Sequence, residues 1–295
     1  MSNNLNQINL NYFSEAKASL IDPLARELSE NVQWVKLEKK WGVLEFPIVI
    51  CGEGEPILFL HGFDSSFLEF RRIVPKLKKN FKLIIPDLFG FGFSPRIPGI
   101  NYTTKNIIQN LLDLLEELDI NNNLKIVGAS MGGSVALRLS EEFSKDIEKM
   151  ILLSPAGLFG EPKIIPFPLN QFGAAFLGTP FVRRNLCRQA FAFPDKSVGK
   201  MEEQIASIHL GCRGWRNSLA SFAKYGGFGG TKKFIKDIPT KIICGENDRI
   251  LGKLEIKKIL DINKIKSVNL KNCGHLPHLD LPGLTAKIIE DFLYD

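Results

Sequence analysis

A serine with glycines two positions to either side, set between an apolar run and a helical pattern, constrains this chain more than any other feature. The stretch is KIVGASMGGSVALRLS, Lys125 to Ser140. Its apolar run stops at Gly128 and a helical pattern resumes after Gly133. Gly128 and Gly132 bracket Ser130 in a G-x-S-x-G, a spacing that lets a strand turn sharply into a helix. Such a turn holds the serine strained, its hydroxyl at the strand's carboxyl end beside N–H groups of the helix N-terminus. Glycine, serine and alanine are common, so the bare pattern is equally a tight turn with an idle serine. The strand before it and the helix after it decide for a presented nucleophile.

The rest of the chain repeats that strand-to-helix rhythm. Trp34 to Ile50 alternates loosely, as a strand pair does. Short apolar runs of buried-strand type follow at Ile57 to Leu60, Phe81 to Pro86, Met150 to Leu153, Lys241 to Cys244 and Ser267 to Leu270. Helical spacing separates them at Phe67 to Leu77 (limited by Pro75), Thr103 to Leu118, Lys253 to Leu260 and Pro282 to Leu293. Strands alternating with helices predict an α/β fold: parallel β-α-β units and a sheet covered on both faces. Chemistry in such sheets gathers at the carboxyl ends of the strands. Residues 1–33 are polar, with one weakly amphipathic stretch interrupted by Pro23, and are expected to form a surface arm or helix.

Composition matters where it changes along the chain. Residues 156–235 hold 11 Lys/Arg against 4 Asp/Glu, a net +7 where the whole chain is +6. They also hold 10 of the 22 phenylalanines. A basic, Phe-rich second unit is therefore expected at 156–235, inserted in a core of 34–155 and 236–295. Most of Phe159, Phe167, Phe172, Phe176, Phe181, Phe191 and Phe193 are expected to pack inside that unit. Gly226 to Gly230 reads equally as a hinge or a flexible return to the sheet. The N-terminus shows no apolar signal segment, and no apolar run approaches the roughly 20 residues of a membrane span. The five cysteines are scattered and odd in number. They read as reduced thiols of a cytoplasmic protein, with neither a disulfide frame nor a metal site expected.

A serine hydroxyl is a poor nucleophile at neutral pH, so Ser130 needs a base and the base an orienting acid. Of the four histidines, His61 precedes a glycine after the first buried strand and His209 lies in the insert. His278 follows Pro277 and reads as structural. His275 sits behind Gly274 directly past a strand and is the expected base. Asp248 follows a strand and a glycine turn, and is preferred as the acid over Glu246 and Asp87. An aspartate opening a Gly-rich turn, as Asp87 does, usually bonds nearby backbone N–H groups. The order Ser130, Asp248, His275 is nucleophile, acid, base. Two N–H donors for an oxyanion are expected from Met131, at the helix start, and Phe63, in the loop after Leu60.

Together these residues carry a resemblance to the α/β-hydrolase family from about Trp34 onward. HGF at 61–63, DLFGFGFS at 87–94, GASMGG at 128–133, GENDRI at 245–250 and CGHLPHLDLP at 273–282 appear in the family's order. The resemblance implies an eight-stranded, mostly parallel sheet and a helical cap inserted after the sixth strand, here 156–235. It supports the same five residues in the same roles. Asp280 departs from the glutamate that relatives often carry. Serine at 130 excludes the relatives that use aspartate there, the haloalkane dehalogenases and epoxide hydrolases. HGFDSS with Glu69-Phe70-Arg71-Arg72 and CGHLPH looks like hydrolases of photosynthetic bacteria and plastids, some tied to chlorophyll dephytylation.

The expectation is a serine hydrolase that cleaves a hydrophobic carboxylic ester, or an amide or thioester, through an acyl-enzyme with no cofactor. C–C bond hydrolysis on the same triad and a non-catalytic ligand receptor are the alternatives. The basic segment is either a solvated face over an aromatic core or a transient contact with an anionic membrane surface. Nucleic acid ranks lower, for want of a recognition motif.

Overall fold

Strands that are apolar on both faces need cover on both sides, and the chain supplies it. The computed structural model describes residues 2–38, 41–120, 122–143, 146–235, 238–263 and 265–295. Helices α1 (Ser2–Ser19) and α2 (Pro23–Ser29) lead into β1 (Val32–Leu37), β2 (Leu44–Cys51) and β3 (Glu55–Leu60). A 3₁₀ turn at Phe67–Phe70, α3 (Val74–Leu77), β4 (Phe81–Pro86), α4 (Thr104–Glu117), β5 (Leu124–Ala129), α5 (Met131–Glu142) and β6 (Ile147–Leu153) follow. Between β6 and the next strand lie α6 (Leu169–Leu177), α7 (Pro180–Gln189), α8 (Pro194–Ser197), α9 (Lys200–Ile205) and α10 (Trp215–Lys224). The chain ends with β7 (Thr240–Gly245), α11 (Gly252–Leu260), β8 (Lys266–Leu270), α12 (Pro277–Asp280) and α13 (Pro282–Tyr294).

The strands form one eight-stranded sheet in the order β1-β2-β4-β3-β5-β6-β7-β8. β2 runs antiparallel to both β1 and β4, and every later pair is parallel. Side chains alternate across the pleat and so feed two cores. Leu58, Leu60 and Ile126 join one with Ile107, Leu111 and Val135 of α4 and α5. Ile57, Phe59 and Val127 join the other with Phe13, Leu28 and Ile289 of α1, α2 and α13. The α4 expectation holds closely: Thr103 caps it by accepting from the Asn106 N–H, and Ile107, Ile108, Leu111, Leu114 and Leu115 are buried. Among the described residues, no helix is long and apolar enough to cross a membrane.

Three expectations change. The leading segment is broken ahead of Pro23 into two helices, and Pro23 opens α2, where its missing N–H costs nothing. Phe13, Ala16 and Leu20 of the leading segment are buried, so it belongs to the second core. The Phe67 to Leu77 helix is instead a 3₁₀ turn and one short helical turn. In the inserted segment Phe191 is buried, but Phe167, Phe172, Phe176, Phe181 and Phe193 are between 48% and 76% exposed. An aromatic count sets how much apolar surface a segment carries, not which way its short helices turn.

Candidate active site

Ser130 joins β5 to α5 with φ 50° and ψ −116°, a strained backbone for a side chain with a Cβ. The turn is tight enough to require its glycines. A Cβ on Gly128 would lie 2.4 Å from the Gly132 carbonyl oxygen, and one on Gly132 would lie 2.0 Å from that of Leu60. The Ser130 N–H donates to the Leu153 carbonyl at 2.8 Å, anchoring the turn to β6.

His275 follows β8 and Asp248 follows β7, and the turns bring both to Ser130. His275 Nε2 lies 2.8 Å from Ser130 Oγ, and Nδ1 lies 2.7 Å from Asp248 Oδ2. With an aspartate on Nδ1, that nitrogen carries the proton and Nε2 accepts from the serine hydroxyl. All three residues are buried. The other Asp248 oxygen accepts from the N–H groups of Ile250 and Leu251 at 2.8 and 3.0 Å. Burial acts to raise the Asp248 carboxyl, but the bond and charge of His275 with these N–H groups outweigh it, and Asp248 stays below its ordinary range. Glu246, the rejected acid, is exposed to solvent.

The His61–Phe63 loop packs against the serine: a Cβ on Gly62 would touch Ser130 Cβ at 3.4 Å. The Gly62 N–H already donates to Glu69 Oε2 at 3.2 Å. The Gly62 and Ser130 N–H groups are thus both engaged within the protein. The Phe63 ring lies 6.0 Å from those of Phe91 and Phe222, and Phe222 lies 6.0 Å from Phe228. A large surface cavity elsewhere, between α1 and the start of α10, is lined by Leu5, Trp41, Arg96 and Asn217 and by none of Ser130, Asp248 and His275.

The other histidines have separate partners. His61 is fully buried, its Nδ1 2.8 Å from the Gly62 carbonyl oxygen and its Nε2 accepting from the Leu88 N–H at 3.0 Å. Burial pushes its pKa down from 6.5 to about 4. His278 Nε2 lies 3.2 Å from Glu69. Asp87 accepts from the N–H groups of Phe67 and Phe93, both at 2.6 Å, as an aspartate opening a turn should. Burial nonetheless pushes its pKa from 3.8 to about 7, against those bonds.

The Asp87 shift has a measurable sign. Between pH 4 and 7 the folded state holds a proton on Asp87 that the unfolded chain has released, so this group lowers stability as pH rises. Neutral buried His61 acts oppositely between about pH 4 and 6.5. Asp87→Asn removes only the first contribution. Its stability should then climb with pH more steeply than wild type, by about 1.4 kcal/mol per pH unit between roughly pH 5 and 6.5. Denaturant melts at three pH values read this. Equal slopes would mean that Asp87 is ionised in the folded protein.

Sequence reasoning missed how the inserted segment grips the site. The His275 N–H donates to the Ala190 carbonyl at 2.8 Å. Asp280 Oδ2 accepts from the N–H groups of Gly274 at 2.6 Å and Ala192 at 2.9 Å, tying the histidine turn to the insert. Beside Phe63, Asp64 accepts from Trp215 Nε1 at 2.8 Å, His209 Nε2 at 3.1 Å and Arg183 Nη1. Burial acts to raise the Asp64 carboxyl, but the His209 and Arg183 contacts hold it well below the usual range. Arg71 and Arg72 meet Glu202 of α9, and Arg71 Nε also reaches Asp22 at 2.6 Å. Asp280–Gly274 apart, these partners lie 49 to 151 residues from one another, beyond any local spacing rule.

Residues 55–282 match the family described as alpha/beta hydrolase fold. The chain is 26% identical to the alpha/beta hydrolase domain-containing protein VTE7 of Arabidopsis thaliana over 288 residues, 92% of this chain and 86% of the relative. It is 35% identical to lipase 1 of Psychrobacter immobilis over 257 residues, 79% of this chain and 75% of the lipase. The crystal structure of a serine hydrolase involved in carbazole degradation superposes with a TM-score of 0.74 at 22% identity, covering 89% of this chain and 98% of that one.

Proposed function

This chain belongs to the α/β-hydrolase family, and from that premise we propose that it is a serine hydrolase cleaving a hydrophobic carboxylic ester, or a related amide or thioester. The observation that carries this reading is the unbroken hydrogen-bond line from Asp248 through His275 to Ser130. Ser130 Oγ attacks the carbonyl carbon while its proton passes to His275 Nε2. Asp248 holds the imidazolium, and the Phe63 and Met131 N–H groups receive the oxyanion. His275 returns the proton to the leaving alcohol, and a water repeats the cycle to release the acid. The aromatic group of Phe63, Phe91, Phe222 and Phe228 supports an apolar substrate. The likeness to a lipase supports the ester bond. The likeness to a plant protein supports, more loosely, kinship with the plastid hydrolases.

A p-nitrophenyl ester chain-length series, run on wild type and Ser130→Ala, tests the proposal. Turnover should rise from acetyl to longer acyl chains and vanish in the variant. A fluorophosphonate should label Ser130. Absent labelling would leave a ligand receptor. Labelling with no ester turnover, but cleavage of a diketone, would move the assignment to C–C hydrolysis.

A further inference from the structure

We infer that α6 and the strap before it form a docking face for an anionic lipid bilayer, which would deliver hydrophobic substrate to the site described above. The inference deepens the hydrolase reading and rests on it for its purpose. Helix α6, LNQFGAAFL, carries no charged residue. Its inward side is Asn170 and Ala174, with Asn170 Nδ2 donating to the Ala220 carbonyl of α10 at 3.0 Å. Its outward side is Leu169, Phe172 and Phe176, at spacings of three and four, exposed by 60%, 65% and 63%. A surface helix ordinarily turns polar residues outward, and this one buries Asn170 while its large apolar side chains face out. Ile164, Phe167 and Phe181, on either side of α6 in the chain, are 70% to 76% exposed. Single exposed apolar side chains need no explanation, whereas a run of six around one helix marks a contact surface.

Charge selects the occupant. From Pro162 to Arg188 there is no Asp or Glu, but there are Lys163, Arg183, Arg184 and Arg188. Arg183 is committed to Asp64 and Arg188 to Asp195. Arg184 meets Glu203 yet stays 64% exposed, and Lys163 is exposed. The Ile165 N–H donates to the Ala223 carbonyl at 3.0 Å, which pins the strap to the end of α10, where exposed Lys224 adds a further basic residue. Two copies of such a face would oppose like charges. A bilayer matches both halves of the pattern, rings entering the acyl boundary and lysines meeting anionic headgroups. The same α10 carries Phe222 to within 6.0 Å of Phe63, so docking sets Phe63, in the loop packed against Ser130, one helix layer from the lipid.

Co-sedimentation of the full chain with vesicles tests this. Vesicles of phosphatidylcholine alone are compared with vesicles in which phosphatidylglycerol is about one lipid in three, at low and high salt. Binding is expected to the anionic vesicles only, and to fall with salt. Phe172→Asp with Phe176→Asp should abolish it, and Lys163→Ala should weaken it about fivefold. Hydrolysis of a short soluble ester should stay at the wild-type rate in each variant, showing the fold intact. No sedimentation at low salt, or sedimentation indifferent to the double substitution, overturns the inference. So does a dimer that the double substitution makes monomeric, because a second copy then covers the face. If vesicle binding is as expected but no ester is cleaved, the hydrolase reading fails and the docking face stands.

Discussion

Ser130→Ala and His275→Ala each lower kcat by about 10⁴–10⁶-fold, because the members of one proton-transfer unit do not act independently. Asp248→Asn is nearly as severe, roughly 10⁴-fold, because an amide at that position favours the wrong imidazole tautomer. The physical basis is the geometry at His275, whose two ring nitrogens are both engaged, one by the acid and one by the nucleophile. Steady-state rates on one ester, with melting curves to show that each variant folds, make the measurement. Wild-type activity in Asp248→Asn together with a dead Glu246→Gln would overturn the assignment of the acid.

Asp64→Ala lowers stability by about 3–5 kcal/mol, the usual cost of stripping one partner from a buried ion pair. Arg183 then keeps its charge in a site where its side chain is only 9% exposed, and Trp215 and His209 lose their acceptor. Asp64→Asn should cost distinctly less. Asparagine tolerates the φ of 48° and its Oδ1 still accepts from Trp215 and His209, so the loss is confined to the charge pairing and hydrogen bond with Arg183. The Asp64 pKa lies below the unfolded value of about 3.9. The stabilisation is therefore whole above that pH and drains away only as acid carries the solution down through the lower folded value. Denaturant melts at neutral pH decide the matter. Equal midpoints for wild type and both variants would show that the cluster contributes nothing.

The sheet and the meeting of Ser130, Asp248 and His275 were legible because local rules govern where each residue sits. Gly128 and Gly132 announce a backbone turn that no side chain permits, and the runs ending before Asp248 and His275 announce strands with the same period. What stayed hidden depends on distance along the chain or on orientation. Nothing near Asp64 hints at Arg183, His209 and Trp215, because all three arrive more than a hundred residues later. The leading helix reads as polar, yet Phe13 and Ala16 are buried, since a few well-placed apolar residues suffice to anchor a helix. The outward-facing phenylalanines of α6 failed for the opposite reason. Hydrophobic patterning assumes that apolar means inside, and a face built for contact breaks that assumption.

The bond pair at Asp280 has a consequence for how such chains can be recombined. One carboxylate oxygen is shared between the histidine turn, at Gly274, and the inserted segment, at Ala192. A glutamate at this position reaches one methylene further and would need the Ala192 backbone to run on a different path. The length of that side chain and the course of the insert are therefore physically coupled. A chimera that grafts a foreign 156–235 segment onto this core must carry its own residue at 280 with it, though that residue lies 45 positions beyond the graft.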